Sequence, residues 1–111
     1  MKGNIFCKHG DITNVSPVLK DKIKMVEADI GEEIEATSVY RCPECNAAAG
    51  GTPGSTHLIG LAIDISARNS SLKFKLIEAL IKRGFTRLGV GKNFIHADLD
   101  PNKAQCVVWT Y

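Results

Sequence analysis

The chain has 111 residues, with 14 Lys and Arg against 12 Asp and Glu for a formal net charge of +2, enough for one compact domain over residues 1–111 and too little for two. A hydrophobic fraction of 44% with 23% charged residues excludes wholesale disorder. The basic residues are interleaved with acidic ones, so no nucleic-acid partner is expected, and no apolar run approaches the roughly 18 residues of a membrane span.

Ser16-Pro17 opens the first helix, because proline suits a first helical position where its missing N–H costs nothing. Leu19, Ile23, Val26 and Ile30 recur at the spacing of one helical face, and Gly31 is a stop. Ile34 to Tyr40 reads as a strand, with Ile34, Ala36 and Ser38 on one side and Glu35, Thr37 and Val39 on the other. Pro43 starts a short helical turn through Asn46 and three alanines, and Gly50-Gly51-Thr52-Pro53-Gly54 is a loop. Leu61 to Ile65 follows as a strand. Asn69-Ser70-Ser71 caps a second long helix, whose Phe74, Ile77, Leu80 and Ile81 are expected to share the buried face and whose end is Gly84. Thr86 to Val90, Phe94 to Leu99 and Val107 to Tyr111 complete the strands. Strands clustered late in this order imply an α+β domain, a small and mainly antiparallel sheet with helices packed on one side.

The cysteines are Cys7, Cys42, Cys45 and Cys106. The segment Met1 to His9 lacks the apolar core of a secretory signal, so the expected product is cytoplasmic as synthesised and its thiols reduced. Cys42 and Cys45 form a C-x-x-C, half of a zinc site to which Cys7 and His9 could add the other half. One C-x-x-C without a matching second pair is a weak signal. The default expectation is therefore a set of small, semi-buried residues that never meet.

Chemistry concentrates in Ser55-Thr56-His57-Leu58-Ile59-Gly60-Leu61-Ala62-Ile63-Asp64, which follows the glycine-rich loop. Along that strand Ile63 and Ile65 face one way, while Ala62 and Asp64 face the other. A carboxylate in so apolar a strand is costly to bury without a partner, and a metal would resolve the cost. In Phe94-Ile95-His96-Ala97-Asp98-Leu99, His96 and Asp98 share a face. His57, Asp64 and His96 would then form a set of two imidazoles and one carboxylate. Three protein ligands plus an open position is the arrangement of a catalytic zinc.

The pattern Ser55-x-His57-x-x-Gly60-x-Ala62-x-Asp64, with Phe94-Ile95-His96-x-Asp98 after it, resembles the M15 zinc peptidases. These are D-Ala-D-Ala carboxypeptidases and L-alanyl-D-glutamate endopeptidases that share a fold with the hedgehog signalling domain. Upstream, Ser38-Val39-Tyr40-Arg41-Cys42-Pro43, Asn46 and Gly50-Gly51 are similar to the family's Ser-Gly-Tyr-Arg-x-Pro segment and the glycines after it. The resemblance covers roughly residues 16 to 100. It implies one zinc ion held by His57, Asp64 and His96, a peptidoglycan stem peptide as substrate, and Arg41 on the substrate's carboxylate, with Ser55 beside it as a substrate-binding residue.

Two positions differ from the family's pattern. Asn93 stands three residues before the last histidine, where many members carry the catalytic acid or base, and Val39 replaces the glycine before the tyrosine. Asp98 is the expected catalytic base, although its place two residues from His96 also suits a partner that orients that ring; Asp100 is the next candidate. His9 and Lys92 are polar candidates better read as solvated surface, and Trp109 and Tyr111 are expected as packing or a cleft rim. A monomeric peptidase without its own export signal fits a phage lysis enzyme or a virion-associated one. The alternative is a zinc-stabilised binding module without catalysis.

Overall fold

The computed structural model describes residues 1–111. Its elements are β1 (Lys2–Gly3), α1 (Pro17–Ile30), β2 (Glu35–Ser38), α2 (Pro43–Ala48), β3 (Ala62–Ser66), α3 (Ser70–Lys82), β4 (Arg87–Val90), β5 (Phe94–Asp98) and β6 (Val107–Thr110), with 3-10 turns at Ile12–Asn14 and Thr56–Ile59. Helix α1 starts on Pro17 and buries Leu19, Ile23 and Val26, and Gly31 closes it with a left-handed φ of 77°. Asn69 caps α3 by accepting from the N–H of Leu72. No helix is long and apolar enough to cross a membrane.

The strands form one six-stranded sheet in the order β1-β2-β3-β5-β4-β6. Its centre is antiparallel, β2 with β3, β3 with β5 and β4 with β5. Each edge is a parallel pair, β1 beside β2 and β6 beside β4. The fold is therefore α+β with a mixed, mainly antiparallel sheet. Helices α1 and α3 cover one face, where Leu19, Ile23, Leu76 and Leu80 join Ile63, Ile65, Leu88 and Ile95 in the core. Helix α2 belongs elsewhere: it packs against the Thr56–Ile59 turn, and its one buried residue is polar, Asn46.

Two expectations about faces are corrected. Between Ala36 and Ser38 the β2–β3 register shifts, so the expected alternation breaks and Val39 is fully buried rather than facing out with Glu35 and Thr37. In α3 the buried face is Leu72, Leu76, Ala79 and Leu80, whereas Phe74 and Ile81 are 69% and 56% exposed. Positions 72, 76, 79 and 80 follow the i, i+4, i+7, i+8 stripe, and Phe74 lies across the helix from it. Side-chain size is a poor guide here, because the small Ala79 is buried and the larger Phe74 is not.

Leu76→Ala is expected to cost about 2–5 kcal/mol in denaturant unfolding, as a cavity in the core does. Phe74→Ala should stay within about 0.5 kcal/mol. Equal losses from the two substitutions would contradict this orientation of α3.

Candidate active site

His57 is positioned by its turn. Ser55 caps Thr56–Ile59, its Oγ accepting from the His57 N–H at 3.3 Å, and Gly60 closes the turn at a φ of 68°. A Cβ on Gly60 would meet the Asn14 carbonyl oxygen at 2.0 Å, so only glycine fits there. The His57 ring is buried and its Nδ1–H donates to the carbonyl of Val39, just past the β2 register shift, at 2.7 Å. That bond fixes the tautomer. Nε2 is left facing Asp64 Oδ2 at 3.3 Å.

Asp64 and His96 are directly opposed in the β3–β5 pairing, on the face away from α1 and α3. His96 Nδ1 lies 2.9 Å from Asp64 Oδ1, and its Nε2 lies 2.7 Å from Asp98 Oδ2. One imidazole thus sits between two carboxylates. Burial disfavours the charged form of each group, yet the mutual hydrogen bonds win. They hold Asp64 well below the usual carboxylate range, lower Asp98, and raise the pKa of His96.

The donor set fits a zinc ion. One ligand atom from each of His57, Asp64 and His96 can be chosen so that all lie within 4.8 Å of one another. Zinc bonds of about 2.0–2.2 Å in a tetrahedron set N···O edges of about 3.3–3.5 Å, the separation found between His57 Nε2 and Asp64 Oδ2, 3.3 Å. With Nδ1–H committed to Val39, Nε2 is the His57 atom that can serve as a ligand, and it faces the Asp64 carboxylate. That separation leaves room for a metal ion between them and is longer than the roughly 2.7–2.9 Å of a tight charge-assisted hydrogen bond.

Asp98 is more deeply engaged than its sequence neighbourhood suggests. Its Oδ2 meets His96, while Oδ1 accepts from Arg87 Nε at 2.8 Å and from the Asp100 N–H at 3.1 Å. The residue is 1% exposed. Arg87 did not stand out from the sequence, although a hairpin through Gly91-Lys92-Asn93 sets it opposite Asp98. Its guanidinium also lies 5.1 Å from the Trp109 ring centre, and Trp109 is tilted against His96 at 5.5 Å. Asp100 is buried and accepts from Thr56 Oγ1 at 2.9 Å. Lys103, also missed, donates to Thr56 Oγ1 at 3.0 Å.

These groups open into a cleft of about 500 Å³ lined by Arg41, Ser55, His57, Asp64, His96 and Trp109 among others. Arg41 reaches it from the segment before α2, which the Arg41 N–H ties to the His57 carbonyl at 3.2 Å. Its buried Nε has no hydrogen-bond partner. Asp98, Trp109 and Tyr111 also border the cleft, whereas Lys92 and Asn93 are exposed and lie outside it. His9 is absent from the cleft too, for it joins a different group: Cys7, His9, Cys42 and Cys45 do meet, with one ligand atom from each within 4.8 Å of the others.

The sequence profile of the family described as Peptidase M15 matches residues 4–98, which takes in Arg41, Ser55, His57, Asp64, His96 and Asp98. No curated protein matches the chain.

His57→Ala, Asp64→Ala and His96→Ala are each expected to abolish zinc binding in this cleft, read as the loss of about one zinc per chain by elemental analysis. Full zinc content in all three variants would sink the assignment.

Proposed function

The chain belongs to the M15 peptidase family, and from that premise we propose that it is a zinc peptidase cleaving peptidoglycan stem peptides in the cleft at His57, Asp64 and His96. M15 peptidases are zinc-dependent. The observation that carries the reading is the union, in one cleft, of this zinc-compatible set with Arg41, an arginine in no ion pair and with a buried, unpartnered Nε.

A zinc ion held there supplies Lewis-acid polarisation of the scissile carbonyl and activation of the attacking water. The chain's own residues do the rest. Arg41 offers a planar fork to a substrate carboxylate, which two parallel hydrogen bonds can hold in one orientation. Ser55 Oγ already accepts from the His57 N–H, so its hydroxyl proton stays available to a substrate carbonyl. The Val39 carbonyl locks His57 with Nε2 inward.

Asp98 serves best as the positioning carboxylate of His96. Both its oxygens are occupied by His96, Arg87 and a backbone N–H, and burial keeps water from it. With Nε2–H donating to Asp98, His96 presents Nδ1 toward Asp64 and the cleft. This differs from the expectation of Asp98 as general base, and the two readings separate on one variant. Asp98→Asn is expected to weaken zinc binding by about 10–100-fold, with turnover at saturating zinc changed less than about tenfold. Unchanged zinc affinity with turnover lowered about 10²–10⁴-fold would instead make Asp98 the base.

Hydrolysis of purified stem peptides tests the function itself. One substrate ends in D-Ala-D-Ala, the other carries an internal L-alanyl-D-glutamate bond, and products are followed by mass. Cleavage of either, lost with a chelator and restored by zinc, is expected. Arg41→Ala should raise KM only for the substrate whose carboxylate it binds. No cleavage of either peptide by folded, zinc-loaded protein would favour the inactive binding module.

A further inference from the structure

Outside the cleft, one cluster of metal-binding side chains has no part in the proposed reaction. Cys7 and His9 come from the segment after β1, and Cys42 and Cys45 from the start of α2. Two features of the fold bring them together. Phe6 and Tyr40 form an isolated parallel bridge, in which the Tyr40 N–H donates to the Ile5 carbonyl at 3.0 Å and the Cys7 N–H to the Tyr40 carbonyl at 3.2 Å. The chain then folds back through Gly10, where a Cβ would strike the Tyr40 ring at 2.6 Å. The bridge sets Cys7 beside Cys42, and the helical start at Pro43 turns Cys45 back toward both.

We propose that Cys7, His9, Cys42 and Cys45 form a second metal site, a closed structural site for zinc that clips the N-terminal segment to the strand end carrying Arg41. Zn–S bonds of about 2.3 Å and Zn–N bonds of about 2.0–2.1 Å set tetrahedral S···N edges of about 3.6 Å. His9 Nδ1 lies 3.5 Å from Cys42 Sγ and 3.5 Å from Cys45 Sγ. Thiolates gathered on one ion carry excess negative charge, and backbone N–H groups are already aimed at the sulfurs. The Cys42 N–H points to Cys7 Sγ at 3.5 Å, and the Cys45 N–H to Cys42 Sγ at 3.5 Å. Such N–H groups orient the sulfurs.

The donor chemistry separates this site from the cleft. Three sulfurs and one imidazole select zinc over hard cations such as magnesium or calcium. Four protein ligands fill a tetrahedron and leave no position for water or substrate, whereas His57, Asp64 and His96 leave one. The site has something to hold as well. Strand β1 is only two residues long, and its parallel pairing with β2 is a weak anchor for the segment up to Gly10. Arg41 is the residue before Cys42, so an ion on Cys42 would also fix the main chain beneath the side chain that reaches the cleft.

The site stands apart from the peptidase reading, and its test reads no activity. Fully reduced, zinc-loaded protein is expected to hold about two zinc ions per chain, falling to about one in His57→Ala and to about one in Cys45→Ser. Should Cys45→Ser fail to fold, the unsubstituted protein carries the test by two further readings. Cobalt in place of zinc should give thiolate-to-cobalt charge-transfer absorption, because the cleft offers no sulfur. A thiol reagent should label the exposed Cys106 quickly and the other three cysteines only after chelation, since a metal-bound thiolate is shielded. About one zinc per chain, no charge-transfer absorption, and equal labelling of the four thiols with and without zinc would overturn the proposal. A Cys42–Cys45 disulfide that forms again in zinc-treated protein once the reductant is removed would overturn it equally.

Discussion

The cross-strand opposition of Asp64 and His96, with Asp98 on the ring's far nitrogen, is the constraint around which the domain is arranged. Two carboxylates and an imidazole lie on one face of a sheet whose other face is the hydrophobic core. Removing an ion from water costs several kcal/mol even after relaxation, so anions placed this way must be met by positive charge and N–H donors. Arg87 and the Asp100 N–H meet Asp98, and His57 and His96 flank Asp64. With metal absent, a proton on His96 is what reconciles the two carboxylates, which is why its pKa is raised. A zinc ion on the Asp64 side would take over that role and leave His96 bonded to Asp98. The Ser55 cap, Gly60 and the Val39 carbonyl all serve to bring His57 to the same point.

Much of this was legible because strands alternate. Ile63 and Ile65 against Asp64, and Ile95 against His96, assign faces from sequence without knowledge of the pairing. What pairs with what depends on register, and register is set by turns and long-range contacts. The role of Arg87 is hidden in the sequence for that reason, though the short hairpin between β4 and β5 sets it opposite Asp98. Asp98 itself was placed on the right face, but its hydrogen-bond partners come from two other chain segments. The buried stripe of α3 differs from the one apolar size suggests, because Phe74 and Ile81 carry more apolar surface than Ala79 while packing selects by position on the helix. The cysteine cluster was least legible. Cys7 and Cys42 are 35 residues apart and meet only through the isolated Phe6–Tyr40 bridge, a parallel contact with no local sequence signal.

Two kinds of donor set, both near Arg41, give the domain a division of labour under the proposed reading. The cleft set is mixed nitrogen and oxygen, open on one side, and built on strands whose register the core enforces. The cysteine set draws on an exposed turn and a six-residue helix with little core of its own. A small domain gains most from an added metal where its hydrophobic packing is thinnest. Arg41 directly precedes Cys42 in sequence and reaches the cleft, so the stiffness of its segment bears on how firmly it can hold a substrate carboxylate.

The central claim, that zinc binds between His57, Asp64 and His96, is tested most directly by crystals of the zinc-loaded chain with data collected at the zinc absorption edge. An anomalous peak about 2.0–2.2 Å from His57 Nε2, an Asp64 carboxylate oxygen and His96 Nδ1 is the result expected. No peak at that position in zinc-loaded crystals, with Asp64 still bridging the two imidazoles directly, would contradict it.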